Sequence, residues 1–167
     1  MGHENARVLF VCMGNICRSP TGEGVFQKVV ADRGLQQRVE IDSAGTISHH
    51  AGDRADPRMR TAAAQRGYPL TSRARQIVET DIVEFDLIIA MDRENLRDIR
   101  KLVARGQSSK HIKLLSEFLP KGSPADVPDP YYGGPSGFDC VIDMIEGACP
   151  HILEYVLEET RDGSGQV

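Results

Sequence analysis

The sequence contains no tryptophan, and aromatic residues make up only 5% of its 167 positions. It has four cysteines, no C-x-x-C pair and five scattered histidines, so a tetrahedral zinc site is not expected. It also lacks an apolar run of membrane-spanning length, and the first residues, MGHENARV, carry no apolar signal segment. Without such a segment, we expect a cytoplasmic protein whose thiols stay reduced.

An excess of basic charge is missing as well. The formal net charge is -4, which argues against binding nucleic acid over a broad basic surface. Any anion must therefore be bound by a local positive site, against the overall charge of the chain. The composition, 40% hydrophobic and 26% charged, is ordinary for one globular domain.

Four segments are predicted strands, at residues 7–11, 39–45, 86–91 and 111–115. Four segments with helical spacing of apolar residues are predicted to begin near Pro20, Pro57, Asp92 and Phe138. This alternation predicts an α/β fold, a four-stranded parallel sheet with helices on both faces. We assign residues 1–160 to this single domain and expect residues 161–167 to form a disordered tail.

Some residues are predicted to mark the ends of these elements. Ser19 and Asp92 are expected helix N-caps, and Pro20 suits the first position of a helix. Pro150 is expected to kink or restart the last helix. Residues 116–137 are rich in proline and glycine, and so long a loop in a compact domain is usually either functional or disordered.

The stretch VLFVCMGNICRSP, residues 8–20, joins the first predicted strand to the first predicted helix. It lies at the carboxyl edge of the sheet, where ligands bind in this fold class. Gly14 and Asn15 accept the positive φ angles that let successive backbone N–H groups form an anion nest. The helix N-terminus adds a positive dipole, and Arg18 adds donors that fit two phosphate oxygens. The turn therefore predicts a site for a tetrahedral oxyanion.

Cys12 is expected at the base of this nest. The groups that bind phosphate also stabilise a thiolate, and Ser19 can donate a hydrogen bond to the sulfur. A nucleophile beneath a bound phosphoryl group is suited to in-line attack. A plainer interpretation is a buried cysteine at a strand end, with Arg18 beside a neighbouring carboxylate. The complete run V-C-x-G-N-x-C-R-S-P between strand and helix favours catalysis instead.

This run resembles the signature of the low-molecular-weight protein tyrosine phosphatases. The likeness extends from Val8 to about Glu159 and includes four more segments: DSAGT (42–46), DPR (56–58), FDLIIAMDRENLRD (85–98) and DPYYGG (129–134). It implies hydrolysis of phosphotyrosine in protein substrates through a cysteinyl-phosphate intermediate, without metal or cofactor. No nucleic-acid partner or membrane insertion is expected, and the protein is expected to be a monomer or a weak homodimer.

Cleavage of an aryl phosphate needs a group that protonates the leaving oxygen. By resemblance, Asp129 of DPYYGG is this general acid and later the base that activates water. Tyr131 and Tyr132 are expected to form one wall of the substrate slot, and family members can also be phosphorylated there. Asp126 lies off the matched position and is expected to be solvated.

The resemblance assigns the other residues of the turn to substrate binding: Met13, Gly14, Asn15, Ile16, Cys17 and Ser19. Asn15 is expected to tie the turn together through Ser43, and Asp92 is expected close to the site while it caps a helix. Cys17 is expected to pack in the turn and to form a reversible disulfide with Cys12 under oxidation.

One departure from the family concerns the loop after the second strand. Family members commonly carry tryptophan or tyrosine there, opposite the two tyrosines, whereas this chain has His49 or His50. A histidine can stack on a ring but offers less area. We therefore expect weaker selectivity for phosphotyrosine than typical members have.

Three alternatives share the fold or the nest. Thioredoxin-coupled arsenate reductases need resolving cysteines near the third strand, but residues 80–100 contain none, and Cys140 and Cys149 fall in the last predicted helix. Protein arginine phosphatases favour threonine where this chain has Ile16. A non-catalytic phosphate-binding module would be expected to lack the nucleophile or the acid, whereas this chain has both Cys12 and Asp129.

Overall fold

The computed structural model describes residues 5–164, with side chains to residue 161. Four strands form its sheet: β1 (Ala6–Cys12), β2 (Val39–Gly45), β3 (Leu87–Ala90) and β4 (Ile112–Leu114). Five α-helices surround the sheet: α1 (Arg18–Asp32), α2 (Pro57–Gln65), α3 (Glu79–Glu84), α4 (Arg93–Arg100) and α5 (Ser136–Ser164). A short 3₁₀ helix, Leu115–Phe118, follows β4.

The sheet is parallel throughout, in the order β2-β1-β3-β4, so the predicted four-stranded α/β fold is confirmed. Strand β1 is central, and its side chains alternate between two cores. Phe10 lies in the core formed with α1, α2 and α5, and Leu9 lies in the core formed with α3 and α4. The apolar run of β1 therefore reflects a strand covered on both faces.

The register brings three chain segments to one edge. Cys12, the last residue of β1, pairs with Gly45 at the end of β2. On the other side, Val11 pairs with Ala90 at the end of β3. The turn after β1, the loop after β2 and the N-terminus of α4 therefore meet at the carboxyl edge, where the sequence predicts the site.

The helix starts agree only in part with their prediction. Asp92 caps α4, as expected, because its carboxylate accepts the Asn95 N–H at 2.7 Å. Ser19 is not the cap of α1, which begins at Arg18 with Cys17 as its cap residue. The prediction was wrong because the Ser19 hydroxyl contacts the Cys12 sulfur and the Asn15 amide and so does not cap the helix.

Other differences concern elements with a weak sequence pattern. Helix α3 and the 3₁₀ helix were not predicted, because both are shorter than two helical turns and show no clear periodicity. Helix α5 continues through Pro150 to Ser164, so residues 161–164 are helical although they were expected in a disordered tail. A formed helix adds one backbone bond per residue, which favours such an extension. The rest of the expected tail, residues 165–167, lies outside the described residues.

Among the residues that the structure describes, no helix is long and apolar enough to cross a membrane.

Candidate active site

The turn that follows β1, residues 12–18, is named the anion loop. Asn15 has a φ of 58°, a left-handed conformation that asparagine tolerates better than most residues. The loop leans on the end of β2, where a Cβ on Gly45 would lie 2.6 Å from the Met13 carbonyl oxygen. The Thr46 and Ile47 N–H groups donate to the Cys12 and Met13 carbonyls at 2.9 and 3.1 Å. The end of β2 and the two residues that follow it thus fix the path of the anion loop.

The side chain of Asn15 is the main tie within this region. Its amide donates to Ser19 at 2.8 Å and to Ser43 at 3.0 Å, and its oxygen accepts the Arg75 N–H at 3.0 Å. Asn15 is only 2% exposed, so these bonds are shielded from water. The predicted contact between Asn15 and Ser43 is present.

The sulfur of Cys12 lies 3.0 Å from the Ser19 hydroxyl oxygen, and Cys12 is one of the residues that line the cavity above the loop. The Ser19 hydroxyl also lies 3.3 Å from the Ala44 carbonyl oxygen. Because a hydroxyl has one proton, it donates to only one of these two acceptors at a time. The serine is therefore able to offer a hydrogen bond to the sulfur whenever the sulfur is ionised.

The guanidinium of Arg18 lies at the other end of the anion loop and is almost fully buried. It donates to the Asp92 carboxylate at 2.5 Å and to the Val127 carbonyl at 3.0 Å. A third partner, the Asp129 carboxylate, lies 3.8 Å away. Burial lowers the pKa of Arg18, but the charge of Cys12 and the hydrogen-bonded Asp92 outweigh it, and the pKa is raised. Arg18 is a permanent cation here.

Asp129 lies in the segment between the 3₁₀ helix and α5, residues 119–135, which is named the acid loop. One carboxylate oxygen, Oδ1, accepts the Tyr131 N–H at 3.0 Å, while Oδ2 faces Arg18. The side chain is one-third exposed, and Asp129 is one of the residues that line the cavity. Asp126, expected to be solvated, is partly exposed and also contacts Arg93 through both carboxylate oxygens.

These groups surround a cavity of about 250 Å³. Ten predicted site residues line it: Cys12, Met13, Gly14, Ile16, Cys17, Arg18, His49, Asp129, Tyr131 and Tyr132. Four other predicted residues support the anion loop or Arg18 from outside the cavity: Asn15, Ser19, Ser43 and Asp92. The Asn15 amide and the Ser19 hydroxyl are engaged with protein partners, among them the Cys12 sulfur, so neither side chain lines the cavity. The assignment of these two residues to substrate binding stays a prediction.

Two further residues line the cavity: Ile47, which the sequence does not indicate, and His50, the alternative to His49 at this place. The His50 ring covers the anion loop so closely that a Cβ on Gly14 would lie 3.1 Å from it. Its centroid is 6.4 Å from that of Tyr131, and it also contacts the His49 ring. His50 therefore occupies the position opposite the tyrosines, and His49 lies at the more exposed rim.

Arg58 is a site residue that sequence reasoning missed. Its guanidinium pairs with the buried Asp56, donates to the Tyr131 carbonyl at 3.2 Å and lies over the Tyr131 ring. Asp56 in turn donates its N–H to the Ile16 carbonyl at 2.8 Å. The DPR segment thus links the anion loop to the acid loop, and its match to the family was the only signal.

The comparisons with known proteins agree with this geometry. The model of the family "Low molecular weight phosphotyrosine protein phosphatase" matches residues 7–162. The chain belongs to this family. A relative from Synechocystis, described as a putative low molecular weight protein-tyrosine-phosphatase, is 45% identical over 153 residues, which cover 92% of this chain and 98% of the relative.

Solved structures of the family superpose closely. A protein tyrosine phosphatase from Entamoeba histolytica matches with a TM-score of 0.89 and 40% identity, covering 93% of this chain and 99% of that chain. A Drosophila arginine phosphatase matches with a TM-score of 0.83 and 31% identity, covering 89% and 96%. The predicted family and the predicted class of enzyme, a phosphoric monoester hydrolase active on phosphotyrosine, are confirmed by these matches.

Behind the anion loop of this phosphatase lies a buried carboxyl group. Glu23, on α1, accepts the Ser43 hydroxyl proton at 2.5 Å, and Ser43 accepts from Asn15. Burial raises the pKa of Glu23 above its ordinary value of 4.5, although hydrogen bonds from Ser43 and Ser72 lower it in part. A raised pKa in the folded state means that the native protein favours the protonated form.

The Glu23→Gln variant is therefore expected to be more stable than the wild type at neutral pH. The wild type loses stability as the pH rises from 4.5 through the raised pKa, whereas glutamine carries no charge. Below pH 4.5 the advantage should shrink, because both side chains are then neutral. Urea unfolding at several pH values measures this, with the exposed Glu158→Gln on α5 as the control. A loss of stability that is equal at every pH would contradict the expectation.

Proposed function

We propose that this protein hydrolyses phosphotyrosine in proteins, and small aryl phosphates, with Cys12 as the nucleophile. The observation that carries the proposal is the convergence of Cys12, Arg18 and Asp129 on one cavity, although Asp129 is remote from the other two in sequence. A thiol, a guanidinium and a carboxyl group are the three functions that a metal-free phosphomonoesterase of this kind requires.

The phosphoryl group is bound by the anion loop, which acts as a phosphate-binding loop. Backbone N–H groups of residues 13–18 and the N-terminus of α1 provide the nest, and Arg18 neutralises charge on the equatorial oxygens. The ring of the substrate lies between two walls. Tyr131 and Tyr132 form one wall, and Ile47 and His50 form the other.

Two displacements complete the reaction. In the first, the Cys12 thiolate attacks phosphorus, the ester P–O bond breaks and Asp129 gives its proton to the tyrosine oxygen. In the second, Asp129 takes a proton from water, the water oxygen attacks phosphorus and the S–P bond breaks. Oδ2 of Asp129 carries this proton, because Oδ1 is occupied by the Tyr131 N–H. The Ser19 hydroxyl stabilises the sulfur as it leaves.

Two alternatives on the same fold receive less support. The Drosophila arginine phosphatase is a structural relative, but Ile16 offers an apolar contact to a ring and no hydrogen bond to a guanidine. For arsenate reduction, a resolving cysteine relay is needed. Cys140 and Cys149 lie on α5 and do not line the cavity.

Phosphotyrosine-containing proteins are the partners that follow from this activity. A cytoplasmic location is part of the proposal, because the nucleophile must remain a reduced thiol and all four cysteines, which lie within the described residues, are unpaired.

Removal of the nucleophile should abolish hydrolysis of p-nitrophenyl phosphate, because the proposed covalent intermediate forms on the Cys12 sulfur. We expect no turnover above background for Cys12→Ser.

Loss of the acid in Asp129→Ala should lower kcat/KM for phenyl phosphate roughly 10²–10⁴-fold, the usual contribution of a general acid. Steady-state kinetics test both, with Cys140→Ser as a control outside the cavity. Equal release of nitrophenol by the wild type and Cys12→Ser would disprove the proposal.

The histidine rim, formed by His49 and His50, should bind aryl groups less tightly than a tyrosine there would. His50 is the residue that faces Tyr131, so a tyrosine at position 50 adds aromatic surface beside the substrate ring, and a good ring pair contributes about 0.5–1.5 kcal/mol, or roughly two- to tenfold in affinity. We therefore expect His50→Tyr to lower KM for phosphotyrosine by that factor. Inhibition by inorganic phosphate, which has no ring, should not change. An unchanged KM for aryl phosphates would remove the proposed role of this rim.

We also propose that Cys17 protects Cys12 from irreversible oxidation. Both residues line the cavity. Peroxide oxidises the Cys12 thiolate to a sulfenic acid. The Cys17 sulfur then attacks the Cys12 sulfur, a disulfide forms and the hydroxyl group leaves as water. Burial, and after it the charges of Asp56 and Cys12, raise the pKa of Cys17 to about 12. Cys17 is thus a protonated thiol in the resting enzyme and leaves the nucleophilic role to Cys12.

Activity that dithiothreitol restores after peroxide treatment should be much lower in Cys17→Ser than in the wild type. In the variant, Cys12 continues to sulfinic acid, which dithiothreitol does not reduce. Disulfide formation should also accelerate as the pH rises toward 12, because more Cys17 is then ionised. Recovered activity and the mass of the Cys12–Cys17 peptide measure both effects. Full recovery in Cys17→Ser would contradict this role.

A further inference from the structure

The acid loop contains no helix or strand between residues 119 and 135. Backbone hydrogen bonds within it are short-range, such as the Ser123 N–H to the Pro120 carbonyl and the Gly133 N–H to the Pro130 carbonyl. These bonds shape local turns but do not attach the loop to the sheet. The position of Asp129 over the cavity therefore depends on contacts with other elements.

Asp126 attaches the acid loop to helix α4 by contacting Arg93, the first residue of that helix. Oδ1 of Asp126 accepts the Arg93 backbone N–H at 2.9 Å and Nε at 3.2 Å, and Oδ2 accepts Nη2 at 3.0 Å. The backbone N–H at the start of a helix has no partner within that helix. Asp126 supplies this partner and a negative charge at the positive end of α4, which is favourable there.

The adjacent residue of the acid loop, Val127, is fixed as well. Its N–H donates to the Met91 carbonyl at 2.9 Å, and its carbonyl accepts from Arg18 at 3.0 Å. Asp92 lies between Met91 and Arg93 and holds Arg18 through its carboxylate. Two consecutive residues, Asp92 and Arg93, therefore attach the anion loop and the acid loop to the same helix end.

We propose that Arg93 and Asp126 are positioning residues for the general acid. By fixing the acid loop three residues before Asp129, their ion pair aims the carboxyl group at the leaving oxygen. The inference rests on the proposed role of Asp129. Arg58 holds Tyr131, two residues after Asp129. The ion pair between Arg93 and Asp126 restrains the acid loop on the other side, before Asp129.

The side chains of the pair are partly exposed, 68% for Arg93 and 39% for Asp126. Exposed ion pairs contribute little to overall stability, so breaking this one should leave the fold intact. A small displacement of a catalytic group, in contrast, can cost a large factor in rate. The pair should therefore affect proton transfer much more than unfolding.

The test compares two substrates that differ in their need for an acid. Phenolate is a poor leaving group and requires a proton, whereas p-nitrophenolate leaves with little help. We expect Arg93→Ala and Asp126→Ala each to lower kcat/KM for phenyl phosphate about tenfold, a fraction of the general-acid contribution. For p-nitrophenyl phosphate the fall should be less than about twofold, because Arg18 and the anion loop are unchanged.

A double-mutant cycle shows whether the two residues act as one unit. The double variant should be no slower than either single variant, and all three should unfold at the temperature of the wild type. Asp98→Ala is the matched control, because it removes another partly exposed ion pair, with Lys101, from the same helix. In about 1 M salt the screening length is about 3 Å, so the ion pair of the wild type is weakened. The ratio of kcat/KM between the two substrates should then shift in the wild type toward the ratio of the variants, and it should stay unchanged in the variants, which have no pair to weaken.

Each contrary result has a distinct meaning. An equal fall for both substrates, or a lower melting temperature in the single variants, would assign the pair a structural role and overturn the inference. Unchanged kinetics in both single variants would overturn it too. If Asp129→Ala also fails to change the ratio between the substrates, then the proposed general acid is wrong and the inference fails with it.

Discussion

The buried guanidinium of Arg18 is the group on which the rest of the site depends. A buried cation costs several kcal/mol unless charges and hydrogen bonds compensate it. Asp92 and the Val127 carbonyl provide this compensation directly, and Asp129 adds a second carboxylate nearby. These partners come from the end of β3 and from the acid loop. One charge therefore brings three distant segments of the chain together.

The anion loop could not hold its shape without support from β2 and the segment around Arg75. Asn15 adopts its left-handed conformation while its side chain bonds Ser19, Ser43 and the Arg75 N–H. Arg75 is itself fixed between Asp42 and Asp81. Strain at the loop is thus balanced by contacts outside it, as is common at functional sites. A loop held in one conformation by such contacts does not have to be ordered when a ligand binds, which would lower the cost of the anion binding that we propose.

The sequence predicts those features that local patterns determine. The apolar strands, the helix start at Pro57, the cap at Asp92 and the positive φ of Asn15 each follow from short-range chemistry, and all are present. The positive φ predicted for Gly14 is absent, so Asn15 alone takes the left-handed conformation in this turn. Cys12 and Arg18 follow from the chemistry of the turn between strand and helix, and Asp129 follows only from the resemblance to a family. Arg58 and the contact between Arg93 and Asp126 were missed, because each joins residues tens of positions apart and neither has a periodic pattern. Ser19 was misassigned for a related reason, since its tertiary contacts compete with the capping role that its position suggests.

The small number of aromatic residues has its main effect at the mouth of the cavity. Tyr131 forms one wall and is backed by the Arg58 guanidinium, which lies 5.3 Å from its ring centroid and also pairs with Asp56. The opposite wall has His50, which rests on Gly14 and lies 3.4 Å from the Asp53 carboxylate through Nδ1. In the proposed mode of binding, a planar substrate ring lies between an aromatic face on one side and a polar imidazole on the other. Because the imidazole offers less area, this proposal makes the tyrosine wall, and the Arg58 contact that holds it in place, the main source of discrimination between aryl and smaller phosphates.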